Sequence, residues 1–126
     1  MAADAVVDHY SALVDRRLEA YLRGVVERSR GYHPFINGVY ETLSEYLLRR
    51  GKRLASCSAL LTYEGYGGMV DDKILDVSVA IEFYRHSILI HDDLVDRDEW
   101  RRGGRALHIL YVDRYDWRFG EALAVF

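Results

Sequence analysis

Pro34 is the only proline in the chain, and neither glycine nor proline interrupts the run from Met69 to Arg102. Helix interiors tolerate those two residues least. A chain that confines them to a few points, with 50% apolar residues and long stretches of helix formers, suits an all-α fold around one core. Ala3 to Arg28 reads as an amphipathic helix, since Val6, Tyr10, Leu13, Leu18, Tyr21, Leu22 and Val25 recur every three to five positions. Gly31 to Pro34 breaks it, and Pro34 suits the first position of the next helix. That second helix spans about Phe35 to Arg49, turns Val39, Leu43, Tyr46 and Leu47 inward, and ends at Gly51. A third covers Leu54 to Glu64, before a turn at Gly65, Gly67 and Gly68. Asp71 or Asp72 caps a fourth helix from Lys73 to Asp96, with Ile74, Val77, Ile81, Ile88 and Val95 expected on its core stripe. Arg97 to Gly104 reads as a loop, and Ala106 to Trp117 as a short helix or turn before a last helix.

Charge and cysteine usage exclude several functions. The net charge is −3 and the basic residues do not gather into one large patch, which argues against a nucleic-acid partner. Apolar runs are broken by Asp76, Glu82, Arg85 and His86, well short of a transmembrane segment. Asp4 and Asp8 near the start, with no basic residue ahead of them, do not read as a signal peptide. Cys57 is the only cysteine, so no intramolecular disulfide is possible, which fits a reducing, cytoplasmic setting.

The chemistry concentrates between Arg85 and His108, in RHSILIHDDLVDRDEWRRGGRALH. On a helix, Asp92 and Asp96 lie one turn apart and project from one face. Two such carboxylates suit magnesium, which takes one or two carboxylates and fills its remaining positions with water and phosphate oxygens. Arg101 and Arg102 follow, and guanidinium forks match phosphate oxygens. The acids also fall where the helix ends, a place that disfavours negative charge by a few tenths to ~1 kcal/mol each unless a cation offsets it. Charge alone leaves open a solvated acidic helix end tied to the arginines by surface ion pairs worth ~0–1 kcal/mol each.

The ordered string Asp92-Asp93-Leu94-Val95-Asp96, four residues, then Arg101-Arg102-Gly103, flanked by His91 and His108, resembles the first aspartate-rich motif of the trans-isoprenyl diphosphate synthases. These form the polyprenyl synthetase family, and the likeness is of the geranylgeranyl-diphosphate-synthase type. Gly51-Lys52-Arg53-Leu54 similarly matches the start of the family's G-K-R-L-R-P motif. The resemblance implies the isoprenoid synthase fold, antiparallel helices around a central cavity, usually in a homodimer. It implies a magnesium-dependent prenyltransferase that condenses an allylic diphosphate with isopentenyl diphosphate. Asp92, Asp93 and Asp96 would be catalytic, with Asp92 and Asp96 the metal ligands and Asp93 less important as a direct ligand. Lys52, Arg53, Arg85, Arg101 and Arg102 would meet the diphosphates. Tyr84, Ser87 and Ile88, just ahead of the aspartates, would set product length; since neither Ser87 nor Ile88 is aromatic, a product of about C20 or longer is expected.

Two departures bear on that reading. Ala55 and Ser56 stand where the family has arginine and proline, and Arg85 stands where it has a histidine. Arg85 lies two turns before Asp92 on the same helical face, so it could meet a diphosphate in place of the arginine missing at Ala55, or pair with Glu82. The chain ends at Gly120 to Phe126 in what reads as the start of an apolar helix. Residues 1–126 are therefore expected to be the N-terminal portion of one synthase domain, inactive alone because the second aspartate-rich motif lies beyond it. Two alternatives remain: a non-catalytic subunit that binds prenyl diphosphates or a partner synthase, and a helical metal phosphohydrolase using His91-Asp92 with His33 or His86 as a further ligand.

Overall fold

The computed structural model describes residues 3–126. Six helices run through it: α1 (Ala3–Ser29), α2 (Pro34–Leu47), α3 (Leu54–Gly65), α4 (Asp72–Asp96), α5 (Leu107–Arg114) and α6 (Trp117–Val125). The stretch read as a loop before α5 contains a small hairpin, β1 (Trp100–Arg101) paired antiparallel with β2 (Gly104–Arg105). No helix among the described residues is long and apolar enough to cross a membrane.

The helix starts follow local chemistry. Pro34 opens α2, and the His33 ring accepts a hydrogen bond from the Phe35 N–H at 3.1 Å. The Asp71 carboxylate caps α4 by accepting from the Lys73 and Ile74 N–H groups at 3.0 and 3.1 Å. Asp116 does the same for α6, which begins three residues before Gly120. There a Cβ at Gly120 would stand 2.4 Å from the Val112 backbone nitrogen, so only glycine lets α6 lie so close on α5.

The core follows the helices' apolar stripes, with one exception. Tyr10, Val14, Leu18 and Leu22 form a four-residue-spaced seam along α1 that meets Cys57 and Leu60 of α3, Leu47 of α2 and Val79 of α4. Tyr46, Ile90, Leu107, Tyr111 and Ala124 build a second centre among α2, α4, α5 and α6. The exception is α4. Its buried residues are Ser78, Val79, Glu82, His86, Ile90 and Asp93, a largely polar stripe. The expected core stripe is turned outward: Val77, Ile88 and Val95 are 50%, 51% and 79% exposed, and Ile74 and Ile81 are only half-buried. Glu82, His86 and Asp93 go inside because each meets a hydrogen-bond partner on another element, and Ser78 bonds the Ile74 carbonyl of its own helix, neither of which apolar periodicity registers. Burial of a polar group is tolerated only on that condition.

Candidate functional site

The aspartates divide according to the helical wheel. Asp92 and Asp96 are exposed on the outer face of α4 and make no ion pair or hydrogen bond among the described residues. Asp93 is fully buried. Its carboxylate accepts from the Arg101 Nε at 3.0 and 3.1 Å and also from Arg101 Nη2, and the Tyr46 hydroxyl lies 3.5 Å away. Asp93 thus anchors the hairpin to α4 and is not presented to solvent. Burial, with the Asp93 charge beside it, pushes the Tyr46 phenol up to about 12. The hydrogen bonds to Asp93 hold the Arg101 guanidinium above its ordinary value, and its Nη1 has no partner among the described residues.

The hairpin carries the second arginine on a constrained backbone. Arg102 and Gly103 form its two-residue turn with φ of 52° and 75°. Positive φ at both central positions is the signature of a type I′ turn, whose twist matches the flanking strands. For arginine the left-handed conformation costs about 1–2 kcal/mol. Arg49 steadies the hairpin from α2's end, donating from Nη1 to the carbonyls of Arg101 at 3.0 Å and Arg105 at 2.7 Å. The half-buried Arg102 side chain folds back so that Nη1 lies 3.3 Å from His86 Nε2. Burial, then the Arg53 charge, lowers the Arg102 guanidinium from its ordinary value.

Arg53 does not take the place expected for it. It is 1% exposed, donating to Asp15 at 2.8 Å, to Glu82 at 3.1 Å, and to the Leu47 carbonyl at 2.9 Å. Every arm of the guanidinium is engaged, so Arg53 ties α1, α2 and α4 together and is not available to a diphosphate. Ser56 completes the set, donating to the other Glu82 oxygen at 2.6 Å. Glu82 therefore pairs with Arg53 and not with Arg85. Lys52 is exposed and reaches Asp4 at 2.9 Å, a surface contact that a diphosphate can displace.

Arg85 is exposed, without an ion-pair partner among the described residues. It lines a groove of about 190 Å³ together with Ala55, Ile81, Tyr84, Ile88 and Leu89. Tyr84 and Ile88 thus share the Arg85 side of α4. Ser87 does not: it lines a separate cavity of about 340 Å³ with Leu43, Phe83, Ile90 and Tyr111. Tyr84 and Ser87, three residues apart on the exposed side of α4, thus border different cavities.

The histidines do not converge on Asp92. His33 is used at the α2 start, His86 lies inside, and His91 Nε2 contacts the Val125 carbonyl at 3.1 Å. Among the described residues no group of three or more His, Cys, Asp or Glu side chains is gathered for a metal. Asp92 and Asp96 present two exposed carboxylates, a donor set that would fit magnesium with phosphate and water completing the shell.

Residues 37–126 match the family model described as polyprenyl synthetase, which is more than half of the chain. The chain belongs to the polyprenyl synthetase family. It is 34% identical over 124 residues to a short chain isoprenyl diphosphate synthase of Methanothermobacter thermautotrophicus, covering 95% of this chain and 31% of that protein. It is 38% identical over 76 residues to a geranylgeranyl pyrophosphate synthase of Geoglobus acetivorans, covering 59% and 23%. It is 41% identical over 68 residues to a geranylfarnesyl diphosphate synthase of Aeropyrum pernix, covering 53% and 21%. The chain therefore spans less than a third of the length of these relatives. No solved structure matches it significantly.

Within this polyprenyl synthetase chain, sequence reasoning placed Tyr46 inward but missed its hydroxyl beside Asp93, and it missed Arg49 and the buried role of Glu82. Glu82 carried the one usable signal, since an acid in the middle of an apolar helical run must find a cation. Arg49 also pairs with Glu45 one turn back, but nothing local identifies its contacts to carbonyls 52 and 56 positions away.

Proposed function

We propose that this chain supplies one metal- and diphosphate-binding wall of a polyprenyl diphosphate synthase, which joins an allylic diphosphate to isopentenyl diphosphate. The observation that carries the reading is the sorting of the three aspartates. Asp92 and Asp96 stand unpaired on the exposed face of α4, with Arg85 on the same face, while Asp93 is spent inside on fixing the arginine hairpin. Magnesium, when bound, would neutralise the diphosphate and stabilise it as a leaving group. Asp92 and Asp96 would hold that ion. Arg101 and Arg102, fixed at the hairpin, would orient diphosphate oxygens and stabilise the charge that develops there, with positioning and electrostatics as the protein's whole contribution.

The isopentenyl diphosphate subsite needs a cation where Ala55 has none. Arg85 and Ala55 line one groove, so the Arg85 guanidinium can reach the space an arginine at 55 would fill. Lys52 supplies the second charge. The same departures motivate the non-catalytic alternative, and one experiment separates the two. In a synthase carrying this chain, Asp92→Ala and Asp96→Ala should each lower incorporation of labelled isopentenyl diphosphate at least a hundredfold and remove its magnesium dependence. Arg85→Ala should raise the Michaelis constant for isopentenyl diphosphate more than that for the allylic substrate. Unaltered incorporation by the Asp92→Ala enzyme would overturn the reading, and equal effects of Arg85→Ala on both substrates would overturn its subsite.

A further inference from the structure

The interior face of α4 meets the arginine hairpin at one point, and the chemistry there is specific. His86 is 2% exposed. Its Nδ1 lies 2.7 Å from the Glu82 carbonyl, which can only accept, so Nδ1 carries the proton. Nε2 is then a lone pair, and it faces Arg102 Nη1 at 3.3 Å. Gly51 also lies against the guanidinium, where a Cβ would stand 3.1 Å from Arg102 Cζ. A side chain at 51 would push the guanidinium aside by a few tenths of an ångström. Arg102 thus leaves a strained turn, passes Gly51 and ends on an acceptor. Its Nε and Nη2 make no hydrogen bond among the described residues, so two donors stay available for an anion.

We infer that His86 and Gly51 form a cradle that positions Arg102 for a diphosphate, with His86 acting as a neutral hydrogen-bond acceptor and not as a ligand of its own. The inference rests on the proposed diphosphate site and assigns two residues to it. His86 is suited to this role because its other neighbours keep it neutral. Glu82 lies on its own helix, with an oxygen 3.7 Å from Nδ1, and is already paired with Arg53. Arg53 reaches in from the start of α3, Arg102 comes from the hairpin, and the Tyr46 ring of α2 meets the imidazole edge-on at 6.0 Å. Burial, then the Arg102 and Arg53 charges, hold the imidazole below its ordinary value, while its bond to the Glu82 carbonyl acts the other way. A protonated His86 would put a cation against Arg102 and turn it out of the cradle.

The test uses His86→Leu, which removes the acceptor, His86→Gln, whose amide oxygen restores it near the Nε2 position, and Gly51→Ala, which crowds the guanidinium from an exposed site. In nitrogen-15 NMR of the unaltered chain, His86 should show the Nδ1–H tautomer, and the Arg102 guanidinium should rotate slowly. His86→Leu and Gly51→Ala should release that rotation and weaken binding of magnesium pyrophosphate about three- to tenfold, the size of one hydrogen bond. His86→Gln should keep both properties. The opposite tautomer, or an Arg102 signal unchanged in His86→Leu and Gly51→Ala, would overturn the cradle. Circular dichroism establishes folding, and if His86→Leu fails to fold, Gly51→Ala decides the question. Arg102→Ala is the reference: if it weakens pyrophosphate binding while His86→Leu and Gly51→Ala do not, the cradle falls and the site stands. If Arg102→Ala has no effect either, the reading of the site itself is wrong.

Discussion

Replacing Arg53 with methionine tests whether the buried charge network, and not substrate contact, is what this residue serves. Arg53 and Glu82 side chains are 1% and 0% exposed, so the variant leaves a carboxylate in the interior with only the Ser56 hydroxyl to satisfy it. Breaking a buried pair from one side typically costs about 3–5 kcal/mol, because the remaining ion is neither solvated nor paired. The Leu47 carbonyl also loses its donor. Asp15 contributes less, since its side chain is 45% exposed and water can replace the arginine. A loss near 4 kcal/mol is a large part of a domain's usual stability of about 5–15 kcal/mol. At about 3–6 °C per kcal/mol for a chain of this size, the melting temperature should fall by roughly 12–24 °C. The double variant Arg53→Met/Glu82→Leu removes both charges, and Ser56 keeps its bond to the Ser78 carbonyl. It should recover most of the loss, since apolar replacement of a buried pair is often close to neutral. Thermal and urea denaturation followed by circular dichroism measure both variants. A single variant that loses less than about 1 kcal/mol, or a double variant no more stable than the single, would refute the reasoning.

The aspartates should separate by stability as well as by activity. Asp93→Ala strands Arg101 and should cost about 2–4 kcal/mol, whereas Asp92→Ala and Asp96→Ala, both exposed at a helix end, should stay within about 0.5 kcal/mol; the reverse order in urea denaturation would sink the assignment. His86 makes stability pH-dependent. Its folded value is held below the ordinary 6.5, so below about pH 6.5 the unfolded chain takes up the proton first; stability is full above that pH and falls as pH drops through the folded value. The slope between pH 7 and 5 should be shallower in His86→Gln, and identical slopes would contradict the assignment. Product length should respond to the groove beside Arg85: Tyr84→Ala should lengthen and Ile88→Phe shorten the products, with little change from Ser87→Phe. Chromatography of the dephosphorylated products reads this, and a response confined to Ser87→Phe would move the chain-length floor to the cavity beside α2, α5 and α6.

The sequence by itself determined the helices, because their boundaries are local chemistry. Pro34, Asp71, Gly51 and the 65–68 glycines act on their own few residues, and α1, α3 and α4 begin and end within about two residues of the positions read from them, the usual uncertainty of a helix end. It also placed Asp92 and Asp96 on one face, since four residues of α-helix put two side chains together whatever surrounds them. What tertiary structure alone decided was which face of α4 turns inward. Apolar spacing chose Val77, Ile88 and Val95. The fold instead buried Glu82, His86 and Asp93, because Arg53, Arg102 and Arg101 arrive from 29, 16 and 8 positions away to meet them. A polar side chain's preference for the interior depends on a partner whose position only the assembled chain provides. The same reason separates the arginines. Arg53, Arg85, Arg101 and Arg102 are one residue type with one chemistry, and only the carboxylates and carbonyls placed around each by the fold bury Arg53 as a strut, tie Arg101 to Asp93 and leave Arg85 without an ion-pair partner among the described residues.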